Sequence, residues 1–544
     1  MYSQPWGYRS PTRPAERRVR NVNERLLIVG WDGADWEILD DLLNRGDLPN
    51  LSQAISDGMR GDLESTLPTH SWAAWPTFLT GMHPAGHGVF DFVQRDRNDP
   101  RRRIPVTSAS IGAPTFLEIL SQAGIEVRAA NIPVTFPPLK VRGRLIAGVA
   151  IPPRSTFVHP PEWGEHLQRV APFPLNGLEW SRFADRQEQL IEEALELVER
   201  RTASYEALLE GAWTVAVCVY VATDRLQHPF GAHLLPTHPD HVRLQDSRIA
   251  ERLRGVYRAL DAALARLRAR AGEDATFVLV SDHGFRPVTR VADIDRILAS
   301  TGLAARAGAG EAIRSFRVSR LGRALETSRA GKALKARVRR PSTIDWRSTI
   351  AYQSGTAGSI SLNVRGREPH GIVEPDDFLA VSEKVVDAML SFEDPETGEH
   401  PVGSVTLRDA LPSGRYLDRS PDLLVQAAPL WVFKPSDRVT STTSWPSATH
   451  RRTGVIVASG GRTQTGDVDE RSLADLAPTA LAFAGIEPPL GMDGREIVEV
   501  AGTHRPAART TAPRGAESFE RESDAPTDED GFVEQHLRDL GYID

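Results

Sequence analysis

The chain has 544 residues, 40% of them hydrophobic and 25% charged, with a formal net charge of -7. That apolar fraction and near balance of charge exclude a mainly disordered chain, and they give no bulk reason to expect nucleic acid as a partner. At roughly 150 residues per domain the length permits three domains, although large α/β enzymes keep this size around one sheet. Residues 1–23 read as a flexible basic arm without the apolar stretch of a secretory signal.

The run Arg25 to Gly30 reads as a buried parallel strand, followed by the loop Trp31-Asp32-Gly33 and a helical pattern through Leu43. Pro49 to Ser56 reads as a second helix. A helix near Ala113–Ala123 precedes a strand at Val127–Asn131. A long helix, Gln187 to Glu210, precedes the strand Val215–Val221, and another, His241 to Ala271, precedes the strand Thr276–Val280. Helices alternating with short apolar strands predict a three-layer α/β/α sandwich with a mainly parallel sheet. Its first part is expected over 24–290 and its second over 351–500, with a basic helical cap inserted at 291–350. Within that insertion, Ala312 to Arg340 holds ten Lys or Arg and a single Glu. Residues 501–530 read as a disordered linker and 531–544 as a terminal helix. The strongest apolar run, Trp213 to Ala222, is about half the ~20 residues a membrane-spanning helix needs, so a cytoplasmic address without a transmembrane segment is expected.

Cys218 is the single cysteine, which excludes a disulfide framework and a thiolate metal cluster. A metal must therefore be held by His, Asp and Glu. Three of the four predicted strands above are followed by such residues: Asp32, then Asp224 with His228, then Asp282 with His283. Ligands in open α/β sheets bind beyond the carboxyl ends of the strands, so these side chains should converge. Asp and His suit zinc or manganese, and there are enough of them for two ions. Each alone could equally be a turn or cap residue. Ser71 opens a plausible helix, where the backbone dipole favours an anion, and is either a nucleophile or an ordinary N-cap. Pro76 is expected to kink or shorten that helix. His70, His87, Trp72, Trp75 and Phe78 read as structural residues.

The order WDG, PTHSWAAWPTFLTGMHPAGHG, TDRLQH, SDHGF and a late His resembles the type I phosphodiesterase and nucleotide pyrophosphatase branch of the alkaline phosphatase superfamily. The segments NIPVTFPP, NVRGREPHGIV, SPDLLV, HRRTGVIVASG and DLAPTALAFAGIEPPLGMDGR are similar to its bacterial members, as is the ending GYID. The resemblance spans about Arg25 to Arg495. It implies an alkaline-phosphatase-like fold and a small-molecule phosphate ester as substrate. It also implies two divalent metal ions, zinc or else Mn²⁺. Asp32, Asp282, His283 and the Ser71 oxygen would hold one ion; Asp224, His228 and His450 would hold the other. Metal coordination lowers the pKa of a bound hydroxyl or water, and two ions roughly 4 Å apart can serve both oxygens of an in-line displacement. Ser71 would then form a phosphoseryl intermediate that water hydrolyses.

The chain departs from that pattern in two places. The nucleophile is Ser where pyrophosphatases usually carry Thr. Phe92 stands where they carry an Asn that donates to phosphate, and the adjacent Asp91 would repel a phosphate unless it is paired or protonated. Asp91, Arg314 and Arg317 are the candidate substrate contacts. A sulfatase is disfavoured because the residues after Ser71 lack the Pro and Arg of the C/S-x-P-x-R motif. A phosphomutase (phosphoglycerate-mutase-like) or phosphomonoesterase of the same superfamily, with the basic segment as a cap, is the alternative enzyme reading. A non-catalytic scaffold binding anionic surfaces through that segment is the alternative from another class.

Overall fold

The computed structural model describes residues 24–95, 103–175, 178, 186–305, 344–356, 358–461 and 463–502. The basic arm, the linker beyond Gly502, the terminal helix, Arg314 and Arg317 lie outside the described residues.

The apolar run Leu26–Trp31 is a strand buried along its whole length. Because strand side chains alternate, Leu26 and Ile28 enter one hydrophobic cluster and Leu27, Val29 and Trp31 enter another. The first cluster takes in helices Ser71–Thr80, Phe116–Gln122 and Leu476–Phe483. The second takes in Trp36–Asn44, Pro49–Ser56, Gln187–Leu208 and Arg248–Ala271. Helices thus cover both faces of the sheet, which is the expected three-layer α/β sandwich.

The main sheet has ten strands. Its central run is Thr276–Val280, Leu26–Trp31, Val215–Tyr220, Val127–Ala130 and Gly143–Ile146, all parallel. Thr453–Ser459 joins antiparallel between Thr276–Val280 and Gly58–Glu64. The long helix expected from His241 is interrupted: it ends at Leu244 and restarts at Arg248, where the Ser247 hydroxyl accepts the Ala250 N–H. The helix that begins at Ser71 is not cut short at Pro76; it runs on to Thr80 and stops at Gly81, φ 66°.

Beyond the site edge of this sheet, Gly284–Ala292 and Thr440–Arg451 form a long antiparallel ribbon, which Leu430–Phe433 extends. It leads to a four-stranded sheet of Ala351–Gln353, Ser359–Leu362, Leu423–Ala427 and Val402–Leu407, backed by helix Phe378–Leu390. These elements share a third hydrophobic cluster with Ile294, Ile297, Leu298 and Leu303. Residues 351–433, expected in the second part of the core, therefore place their strands outside the main sheet. No described helix is long and apolar enough to cross a membrane.

Candidate active site

Three adjacent parallel strands deliver three carboxylates to one edge. The register sets Trp31 beside Tyr220 and Gly30 beside Val280. Asp32, Asp282 and, in the first turn of helix Ala222–Leu234, Asp224 therefore emerge together, each at most 1% exposed. Gly33 follows with φ 70°, a left-handed turn that points its N–H at Asp282 Oδ1, 3.0 Å away. A Cβ at that position would stand 2.5 Å from the Phe285 ring. The imidazoles come from elsewhere. His228 lies one helical turn after Asp224, and His283 follows Asp282. His450 sits opposite Phe285 in the ribbon, which returns it to the sheet edge from far along the chain.

Ser71 is buried at the first position of its helix. His70 is the N-cap, its Nδ1 accepting the Ala73 N–H, so the N-cap alternative for Ser71 falls away. Ser71 Oγ donates to Asp32 Oδ1 at 3.1 Å and lies 3.2 Å from His283 Nε2. Trp75, one turn on, donates its indole N–H to Asp32 Oδ2 at 3.0 Å.

The imidazoles present a common orientation. Nδ1 of His228, His283 and His450 lies 3.1–3.2 Å from the carbonyls of Ala448, Gly284 and Thr69 respectively. A carbonyl cannot donate, so each Nδ1 carries the hydrogen and each Nε2 turns a lone pair to the site. Nε2 of His228 and His450 face each other at 3.0 Å and lie 3.4 and 3.3 Å from Asp224 Oδ1. On the other side His283 Nε2 is 3.3 Å from Asp282 Oδ2, a buried oxygen with no hydrogen-bond partner. Two lone pairs opposed at such distances repel unless a cation lies among them. Donors around a tetrahedral zinc with bonds of about 2.0–2.1 Å stand about 3.3 Å apart, so these spacings fit metal ligands. By proximity the groups are Asp32, Asp282 and His283, and Asp224, His283 and His450, with His228 touching the second.

The electrostatics agree with that fit. Burial pushes the Asp282 carboxyl up to about 7, with Asp224 adding to the effect and the Gly33 N–H opposing it. Burial, reinforced by Asp282 and Asp224, holds Asp32 well above the usual carboxylate range, while the Trp75 N–H pulls it down. Burial also keeps His228 and His283 below the ordinary imidazole value, in the neutral form a metal needs.

Asp91 does not join the cluster. Its carboxylate accepts the Thr356 N–H and hydroxyl and the Phe92 N–H, at 2.6, 2.8 and 2.7 Å. That pairing satisfies the carboxylate and ties the 354–356 loop to the nucleophile's side of the core. His70 and His87 are structural, on Phe90 O and Thr77 Oγ1. Trp72, Trp75 and Phe78 are buried in the core. The sequence reading missed the hold of Trp75 on Asp32, although its i+4 spacing from Ser71 on one helix was a usable signal. It also missed Thr223 and Gln227, which fix the Asp32–Gly33 turn through its carbonyls.

No curated protein matches this chain. Among solved structures, phosphonoacetate hydrolase from Sinorhizobium meliloti 1021 in complex with phosphonoacetate is 14% identical, at TM-score 0.54. The alignment covers 84% of this chain and 95% of that one. Murine ectonucleotide pyrophosphatase / phosphodiesterase 5 is 13% identical over 84% of this chain and 94% of that one, at TM-score 0.48. At such identities the first likeness speaks for the fold. The family description "Type I phosphodiesterase / nucleotide pyrophosphatase" matches residues 26–453, a span that includes every residue of the cluster built above. The chain belongs to the type I phosphodiesterase / nucleotide pyrophosphatase family and is a hydrolase acting on phosphate ester bonds.

Proposed function

We propose that this chain hydrolyses phosphodiesters through a phosphoseryl ester on Ser71, with two divalent metal ions, zinc or Mn²⁺. The observation that carries the reading is the Ser71 hydroxyl, 3.1 Å from Asp32 Oδ1 and 3.2 Å from His283 Nε2. Asp32, Asp282, His283 and Ser71 would hold one ion; Asp224, His228 and His450 would hold the other. When bound, such a pair supplies charge stabilisation for the attacking and leaving oxygens.

The chain's own residues do the rest. Asp32 Oδ1 accepts the Ser71 O–H and so orients the hydroxyl, while Trp75 fixes the Asp32 carboxylate from its other oxygen. Ser71 Oγ attacks phosphorus as the bond to the leaving alkoxide breaks, and the proton lost by Ser71 ends on that alkoxide. Developing negative charge lies at the N-terminus of a ten-residue helix, where the backbone dipole favours it. Water then attacks the phosphoserine, releasing a phosphate monoester and restoring the hydroxyl. A diester brings one negative charge to this carboxylate-rich site and a monoester close to two, which favours the diester.

The test is hydrolysis of bis(4-nitrophenyl) phosphate against 4-nitrophenyl phosphate by the zinc-loaded protein. A diester preference that falls to background in Ser71→Ala is expected. A monoester preference would overturn the substrate class, and an unaltered rate in Ser71→Ala would overturn the nucleophile.

A further inference from the structure

Arg201, on helix Gln187–Leu208, is 3% exposed, yet its guanidinium makes no hydrogen bond and meets no carboxylate within ion-pair distance among the described residues. Among the described residues it lies over the Phe173 ring, 5.5 Å away, with Tyr205 and Tyr220 also near enough to act on its charge. The similarly buried Arg128 differs: it reaches Glu126 and the carbonyls of Val127 and Ala212. A buried guanidinium without a partner is costly, and arginine does not escape by losing its proton. Such a group persists where an anion completes it.

Its position says which anion. Tyr205, one turn on in the same helix, donates its hydroxyl to Val219 O near the carboxyl end of Val215–Tyr220. That is the strand that leads to Asp224. Arg225 comes next in the chain, its Nε 3.9 Å from Asp224 Oδ2, and its charge is felt by both Asp32 and Arg201. The neighbouring edge is built under strain. Asn131, Val134, Val149, Ala150 and Arg154 all adopt positive φ in the segments that follow Val127–Ala130 and Gly143–Ile146. Left-handed valines are rare, and backbone strain of this kind clusters where a ligand is held. Asn131 Oδ1 is also buried without a partner there.

We propose that Arg201, with Arg225 at its side, forms an oxyanion subsite for a second anionic group of the substrate, a carboxylate or further phosphate, while the scissile diester lies at Ser71. This rests on the phosphodiesterase reading above and narrows it to diesters that carry an additional negative charge on one arm. Guanidinium matches both oxyanions through paired N–H donors.

The experiment compares 4-nitrophenyl 4-carboxyphenyl phosphate with 4-nitrophenyl phenyl phosphate, which share a leaving group and differ by one carboxylate. Binding is titrated calorimetrically in zinc-loaded Ser71→Ala protein, with Arg201 intact, as Arg201→Met and as Arg201→Lys. The carboxylated diester should bind about tenfold tighter when Arg201 is intact, a ratio that collapses toward one in Arg201→Met and is partly kept by Arg201→Lys. Arg201→Met should melt no lower than its parent, because it removes an unpaired buried charge at little change in helix propensity. Equal binding of the two diesters, no binding of either, or a ratio unchanged in Arg201→Met would overturn the subsite. Inorganic phosphate that binds through Arg201 while the diesters show no ratio would also overturn it, in favour of a free-anion site. Turnover with Ser71 intact is read separately: no hydrolysis of either diester refutes the phosphodiesterase reading and leaves the binding ratio to judge the subsite.

Discussion

Trp75→Phe should weaken metal binding about 10- to 100-fold. The indole N–H donates to Asp32 Oδ2 at 3.0 Å inside the core, where both side chains are buried. A buried hydrogen bond to a carboxylate contributes about 1.5–3 kcal/mol, and partners of this kind behind metal ligands alter affinity about 10- to 100-fold. Phe lacks the distal ring edge that packs over Gly30, whose Cβ would stand 2.6 Å from Trp75 Cη2. The packing loss is therefore about 1–2 kcal/mol, from the smaller ring. Without the N–H, Asp32 is held still further above the usual carboxylate range, so the deficit should grow as the pH falls. The assay is competition for zinc against a chromogenic chelator at several pH values, beside urea denaturation of the metal-free protein. Phe78→Leu, on the same helix and in edge contact with Trp75, is the packing control. Zinc affinity in Trp75→Phe within twofold of the parent at every pH, or an equal loss in Phe78→Leu, would refute the positioning role.

The raised Asp282 carboxyl, about 7, means the folded metal-free site carries a proton below that pH, which a metal must displace. Affinity should therefore fall as pH drops through 7, by about tenfold per unit for each proton expelled, and calorimetry in buffers of different ionisation heat should register the release. An affinity flat between pH 6 and 8 would contradict it. Asp91→Asn should cost about 1–3 kcal/mol in urea denaturation, because the amide turns a donor toward the Thr356 N–H and hydroxyl. Unchanged stability with tighter phosphate binding would return Asp91 to the substrate.

Four strands of the central layer were legible because they are short, mostly apolar runs buried along their whole length. Thr276–Val280 lies where the pattern put it, and the helix expected over Gln187 to Glu210 ends two residues early, at Leu208. The ribbon and the second sheet were not legible. Gly284–Ala292 mixes Arg, Pro and Thr with apolar residues and shows no clean alternation of burial, since it pairs on both edges while lying half in solvent. Ala351–Gln353 has three residues, too few for any period to register. His450 stands near the end of a polar twelve-residue strand, and nothing local marks it. The family resemblance alone pointed to it; physically, the ribbon register opposite Phe285 brings it to the sheet edge.

The three aspartates and the histidines beside them were visible for a different reason. Strand order and carboxyl-end geometry are rules about backbone, and they place ligands without knowledge of packing. What a side chain finds when it arrives is another matter. Asp91 and Asp282 are both buried, yet one meets three donors and the other is left with an oxygen that has none. Likewise Arg128 and Arg201 are indistinguishable in local sequence terms, each flanked by helix- or strand-forming residues, and only one finds a carboxylate. Local sequence determines where a polar group is delivered; the long-range fold determines whether it is satisfied. Function collects at the groups left unsatisfied, since an unpaired buried charge survives only when a ligand completes it. Asp282 Oδ2 and Arg201 Nε are two such groups at one sheet edge, of opposite sign. A substrate that brings an anion to the guanidinium and its ester to the metal-ligand cluster would answer both.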